Sequence, residues 1–226
     1  MATSDLDREL YPVAEAARLL RVPQSTLRWW LEGRAVRGKQ YPPVIREEAT
    51  GSGLVTWGEF VEAGYLKEYR SRSVPLPELR RFIDELRREL HVRYPLAHLQ
   101  PYVSAHRRLV LALQKTAGLP PKFGIVLEVT SGQLLLGRAA ESFIEHVEFS
   151  EEGDNSAVRV FPAGKESPVV IDPRRSFGAP SIRGIRTEAL AELIDAGEPP
   201  EGVAEDFDLP VELVKAAVAY EWTMAA

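Results

Sequence analysis

The 226-residue chain contains no cysteine. That removes disulfide cross-links, thiolate zinc sites and a cysteine nucleophile together. There are four histidines, and His91, His98, His106 and His146 make no i, i+4 pair and match no zinc spacing, so no metal site is expected. No apolar run approaches the ~20 residues that a membrane helix requires. The start, MATSDLDREL, lacks the basic and apolar regions of a signal peptide, which predicts a cytoplasmic protein. A reactive constellation is missing as well. Glu151/Glu152 and Asp206/Asp208 lie in turn-like stretches with no matching base or electrophile, and TGSG at 50–53 lacks the lysine and the strand-to-helix setting of a phosphate loop. Neither an enzyme nor a cofactor is expected.

What is present is an uneven distribution of charge. The net charge is −5, yet residues 18–46 hold Arg18, Arg21, Arg28, Arg34, Arg37, Lys39 and Arg46 against Glu32 alone, a local +6 on a remainder of −11. Attraction to phosphate decays over about 10 Å at 0.1 M salt, so the local cluster outweighs the acidic total. Within this island, VPQSTLRWWLEG sets two tryptophans side by side. Successive helical positions are ~100° apart. If Trp30 enters a core with Leu27 and Leu31, Trp29 turns to the flank beside Arg28, as a contact surface would require.

The expected architecture is α+β in three parts. Residues 1–95 begin with YPVAEAARLL, a helix with Val13, Ala16, Ala17 and Leu20 on one face. A turn at RVPQST follows, then a second helix from Leu27 to Glu32 that Gly33 ends. The stretch RAVRGKQYPPVIREEATGSGLVTW reads as a hairpin wing, with Val44/Ile45 and Leu54/Val55 as strands around a Gly/Ser turn. Two helices follow, TWGEFVEAGYLKEYR and ELRRFIDELRREL; the arginines Arg80, Arg81, Arg87 and Arg88 of the second read as solvated or paired with Asp84, Glu85 and Glu89. Residues 96–168 form a small mixed region of short runs (RLVLALQ, GIVLEV, GQLLLG, HVEFS, AVRVFP), with a hairpin at FSEEGDNSAVRV. Residues 169–226 pass from PVVIDP through a Gly/Pro/Arg loop into three helices, in which Phe207, Val211, Leu213, Val214, Val218 and Trp222 are the expected core.

Two stretches resemble known families. YPVAEAARLLRVPQSTLRWWLEG resembles the opening of the winged helix-turn-helix of MerR-like DNA-binding proteins. The resemblance implies a recognition helix exposing Gln24, Ser25, Thr26, Arg28 and Trp29, with Arg34, Arg37 and Lys39 in the wing. Effector-sensing members continue into a long coiled-coil helix, whereas here the corresponding helix spans only about four turns. IDPRRSFGAPSIRGIRTEALAELIDAGEPPEGVAEDFDLPVELVKAAVAYEW resembles a bacterial family of trihelical, helix-turn-helix-like domains of unknown function, found as antitoxin modules beside PIN-type toxins. Phe177 stands where that family frequently has glycine, and Ile185 where it frequently has threonine.

Together these resemblances imply a VapB-type antitoxin that silences a PIN-domain ribonuclease and represses its own operon. Palindromic operators further imply a homodimer on double-stranded DNA. Arg174, Arg175, Arg183 and Arg186, four arginines within thirteen residues, exceed what a turn needs. They suit the carboxylate cluster of such a toxin, a DNA backbone or plain solvent. The alternative function is a free-standing MerR-like regulator whose middle region senses a ligand.

Overall fold

The computed structural model describes residues 4–71, 73–98, 143, 145–150 and 155–225. It mixes helices with short two-stranded sheets. Two compact units divide it, one of Met1–Ile144 with Phe149–Ala157, the other of Glu145–Glu148 with Val158–Ala226. The expected strands RLVLALQ, GIVLEV and GQLLLG, and His106, lie outside the described residues.

In the first unit, strand β1 (Glu9–Pro12) runs antiparallel to β4 (Leu54–Thr56), with Tyr11 opposite Val55. Proline ends β1, where its missing N–H costs the ladder nothing. Helix α1 (Val13–Leu20) follows at once and stops at Arg21, whose left-handed backbone (φ 52°) closes the last turn onto Ala17 and Arg18. Pro23 starts α2 (Gln24–Glu32), which buries Leu27, Trp30 and Leu31. Gly33 ends it with φ 72°, and a side chain there would meet the Tyr41 carbonyl at 2.3 Å.

The hairpin after α2 is tighter than the sequence suggests. Strands β2 (Arg34–Val36) and β3 (Lys39–Tyr41) pair across a two-residue turn, Arg37 (φ 49°) and Gly38 (φ 78°), the φ pattern that matches strand twist in hairpins. Val44 and Ile45 are not strand residues. Their N–H groups bond the Trp30 carbonyl at 2.8 and 3.0 Å, so this buried loop closes the end of α2. Leu54 and Val55 do form a strand, but it pairs with β1.

Thr56 and Glu59 cap helix α3 (Trp57–Ser71) reciprocally: Thr56 N donates to Glu59 Oε2 at 3.0 Å, and Glu59 N to Thr56 Oγ1 at 3.2 Å. This is a capping box, and its T-x-x-E signature is readable in the sequence. Helix α4 (Leu76–Leu90) buries Leu79, Phe82, Ile83 and Leu86 against the rest of the unit. Tyr11, Phe60 and Trp57 form an aromatic stack in the core, with centroids 5.0 and 5.6 Å apart.

Strands β5 (Val147–Phe149) and β6 (Ala157–Val160) pair. In the second unit, Ile171 bridges to Val160 and Val170 to Ser181. A second two-residue hairpin joins β7 (Ser181–Ile182) to β8 (Ile185–Arg186) through Arg183 (φ 52°) and Gly184 (φ 86°). Helices α5 (Thr187–Asp195), α6 (Pro200–Asp206) and α7 (Val211–Ala225) then close on a core that includes Val169, Ile182, Leu190, Val203, Val214, Ala217 and Tyr220. Phe207, Val211 and Leu213 pack at its margin. Trp222 does not belong to it and is 59% exposed, because the stripe through Val214, Ala217 and Tyr220 turns position 222 toward solvent.

Candidate functional site

Helix α2 and the β2–β3 hairpin bring the first set of expected site residues onto adjoining elements. Gln24, Ser25 and Arg28 are exposed, while Thr26 and Trp29 are half-buried. Arg34, Arg37 and Lys39 are exposed on the hairpin, with Arg37 at its tip. The Trp29 indole does not lie free beside Arg28. The Arg34 guanidinium covers its ring at 3.5 Å, a cation–π stack that orients the arginine without neutralising it. Likewise Lys39 sits 5.3 Å from the Tyr41 ring. Among the described residues, no carboxylate pairs with Arg28, Arg34, Arg37 or Lys39. These four side chains give the face a positive field, and the N-terminal end of the α2 dipole adds to it.

Arg46, counted with the basic island by sequence, is withdrawn from the surface at 7% exposure. It donates to Glu59 at 2.7 and 3.1 Å, to the Leu54 carbonyl at 2.7 Å, to Thr50 at 2.7 Å and to Glu32. Its role is to tie α2, the loop and α3 together. Arg80 and Arg87 are also structural. Arg80 donates to the Pro43 carbonyl behind the hairpin at 2.6 Å. Arg87, buried, donates to the carbonyls of Ile45 and Arg93 at 2.6 and 2.8 Å and to Asp84 at 3.2 Å. Beside it, Glu62 is fully buried; burial pushes its carboxyl up to about 8 against the opposing pull of Arg87, whose Nη2 lies 3.8 Å away.

The arginine loop is built around Asp172, which is 5% exposed. Its carboxylate accepts from the Arg174 N–H at 2.8 Å and from Arg159 Nε at 3.1 Å, and Arg175 Nε lies 3.9 Å away. Ser176 Oγ donates to the Gly184 carbonyl at 2.7 Å, joining this turn to the β7–β8 turn. Arg174, Arg175, Arg183 and Arg186 are all exposed. Arg183 and Arg186 have no carboxylate partner among the described residues, and Arg186 instead stands 5.9 Å from the Phe177 ring. Phe177 itself is 74% exposed at φ 55°. The one signal for it in the sequence is the resemblance noted above, in which an aromatic stands where the resembled family frequently has glycine.

Each set places exposed guanidinium or ammonium groups on a hairpin turn, the first also on a helix face, a chemistry that suits an anionic surface. Among the described residues, no three His, Cys, Asp or Glu side chains are grouped as a metal would require. No described helix is long and apolar enough to cross a membrane.

Residues 169–220 match the family described as "Protein of unknown function (DUF433)". The crystal structure of Rv2018 from Mycobacterium tuberculosis is similar with a TM-score of 0.67 and 25% identity, over 95% of this chain and 99% of that one. A protein of M. tuberculosis (strain ATCC 25618 / H37Rv) named "Putative antitoxin VapB45" is 26% identical over 94% of this chain and 93% of its own length. The protein named "Uncharacterized protein Rv2308", from the same strain, is 36% identical over 96% of this chain and 92% of its own length. On that match along nearly its whole length, the chain belongs to the family of Rv2308, and the DUF433 match falls in its last part.

Proposed function

We propose that this chain is the antitoxin of a toxin–antitoxin pair. In this reading it neutralises a PIN-domain ribonuclease of the VapC type through its arginine loop, and binds operator DNA as a homodimer through a MerR-like winged helix-turn-helix formed by α1, α2 and the β2–β3 hairpin. It catalyses no reaction itself and acts in the cytoplasm. The observation that carries the reading is the relative named as a putative antitoxin, aligned along 94% of this chain. Two sets of exposed cationic side chains support it, one on α2 and the β2–β3 hairpin and one in the arginine loop, because the role needs one surface for DNA and another for an acidic protein. Arg28 and the N-terminal turn of α2 would enter the major groove, and Arg37 and Lys39 would hold phosphates.

The test has two arms. Arg37→Ala and Lys39→Ala should each weaken binding to specific and random duplex alike and lower the salt slope by about one unit. Slopes equal to wild type would remove the hairpin from DNA. In the second arm, the neighbouring reading frames are searched for a PIN-domain protein, and the ribonuclease activity of the one found is titrated with the full chain. Arg183→Ala and Arg186→Ala should relieve its inhibition; absence of inhibition by wild type would discard the antitoxin role.

A further inference from the structure

We propose that Phe177 is the aromatic anchor by which this chain docks an acidic protein partner, its ring entering an apolar socket ringed by carboxylates. The inference rests on the antitoxin reading and names the residue that supplies apolar contact within the arginine loop. Three observations carry it. First, Phe177 occupies the left-handed region at φ 55° and ψ 32°, directly after Ser176 at φ 49°. Glycine enters that region freely, whereas a bulky side chain is strained there. Second, the ring is 74% exposed and lies outside the core of its unit, so the fold gains little from an aromatic at this place. Third, the backbone that presents it is pinned. Gly178 N donates to the Arg175 carbonyl at 2.9 Å, Ala179 N to the Ser176 carbonyl at 3.0 Å, and Ser176 Oγ to the Gly184 carbonyl at 2.7 Å.

A strained, exposed and rigidly presented phenyl ring is a contact held ready before its partner arrives, which lowers the ordering cost of binding. Its neighbours state the chemistry of that partner. Arg174, Arg175, Arg183 and Arg186 are exposed in the same loop, and Arg186 stands over the ring. An aromatic centre with arginines around it is the composition of a protein-binding hot spot. A duplex backbone would satisfy the arginines but offers no socket for the ring.

The experiment uses the full chain and the PIN-domain ribonuclease found by the search above, with Phe177→Gly and Phe177→Tyr as variants and melting temperature, affinity and ribonuclease inhibition as readouts. Phe177→Gly relieves the strain, so it should leave the melting temperature unchanged or raise it, while affinity falls by about tenfold or more. Phe177→Tyr should keep affinity within about threefold, since the ring remains. A Phe177→Gly protein that binds as wild type, or that melts lower, overturns the proposal, the latter because the ring would then serve the fold. If Phe177→Gly instead weakens duplex binding and spares the PIN protein, the loop belongs to DNA and the proposal is equally overturned. Failure of the wild-type chain to bind the PIN protein sinks the antitoxin reading and this inference with it.

Discussion

At the scale of single residues, burial decides which charges are available to a partner. Arg46 and Arg28 are both arginines of one basic stretch, yet Arg46 is held by Glu59, Glu32 and three backbone or hydroxyl oxygens, while Arg28 faces solvent. Removing Arg46 would strand the buried Glu59 carboxylate, so loss of DNA binding in an Arg46 variant would report on the fold. Glu62 is the opposite case, a buried acid whose ionisation opposes folding. Its carboxyl titrates near 4.5 when unfolded and is raised to about 8 in the fold by burial. Below 4.5 both states keep the proton and nothing is lost. Between 4.5 and about 8 only the unfolded chain releases it, so stability falls as pH rises, and the loss is constant above 8. Glutamine keeps the bond from Leu96 N, now 3.2 Å to Glu62 Oε1, and cannot ionise. Glu62→Gln should therefore be about as stable as wild type near pH 5 and more stable by roughly 2–4 kcal/mol at pH 8.5. Denaturant unfolding at the two pH values measures this, and an equal gap at both would show that Glu62 does not titrate in that range.

At the scale of elements, the hairpin beside α2 depends on two glycines in different ways. Gly38 is at the turn, with open space around it, so Gly38→Ala meets only the φ penalty of 78°, about 1 kcal/mol. Gly33 is at the hinge. An added Cβ there would lie 2.3 Å from the Tyr41 carbonyl oxygen and 2.8 Å from the Pro42 carbonyl carbon, both backbone atoms. Gly33→Ala must therefore displace the base of the hairpin, and should weaken duplex binding far more than Gly38→Ala. Matching losses in a binding titration would show that the hairpin's placement on α2 is unimportant. The same hairpin marks how far sequence reasoning reached. Helices α1, α2, α3 and α4 and the three of the second unit were legible from apolar spacing and start signals, because those rules are local. The partner of β4 was not. ELYP is short, ends in proline and has no alternation to announce a strand, and Val44 and Ile45 are apolar because they seal the end of α2. The Arg-Gly pairs at 37–38 and 183–184 both form hairpin tips, a signal weaker than Asn-Gly. Phe177 was visible as an anomaly, but its exposure depends on a backbone conformation that no periodicity encodes.

For the whole molecule, the family match and the compact unit do not begin at the same residue. The match covers 169–220, whereas the unit also takes in 145–148 and the chain from 158 onward. The difference has a physical content. Val160, 3% exposed, exchanges two backbone bonds with Ile171 at 3.0 and 2.8 Å, and Phe161 N donates to the His146 carbonyl at 2.7 Å. Arg159 bonds Asp172, the residue on which the arginine loop turns, so it supports that loop from outside the matched segment. A fragment of 145–226 keeps all of these contacts, and one of 169–226 loses them. Burial of one valine and three backbone bonds together contribute about 3–5 kcal/mol, a large share of what so small a core can supply. The 145–226 fragment should therefore melt cooperatively and inhibit the PIN protein, and it should fail to bind duplex because Arg28, Arg37 and Lys39 are gone. The 169–226 fragment should melt far lower and inhibit weakly, and Arg159→Ala in the longer fragment should fall between the two. Circular-dichroism melts and ribonuclease titrations of the three proteins make the comparison. Equal melting of the two fragments would move the folding boundary to residue 169 and reduce Arg159 to a surface residue.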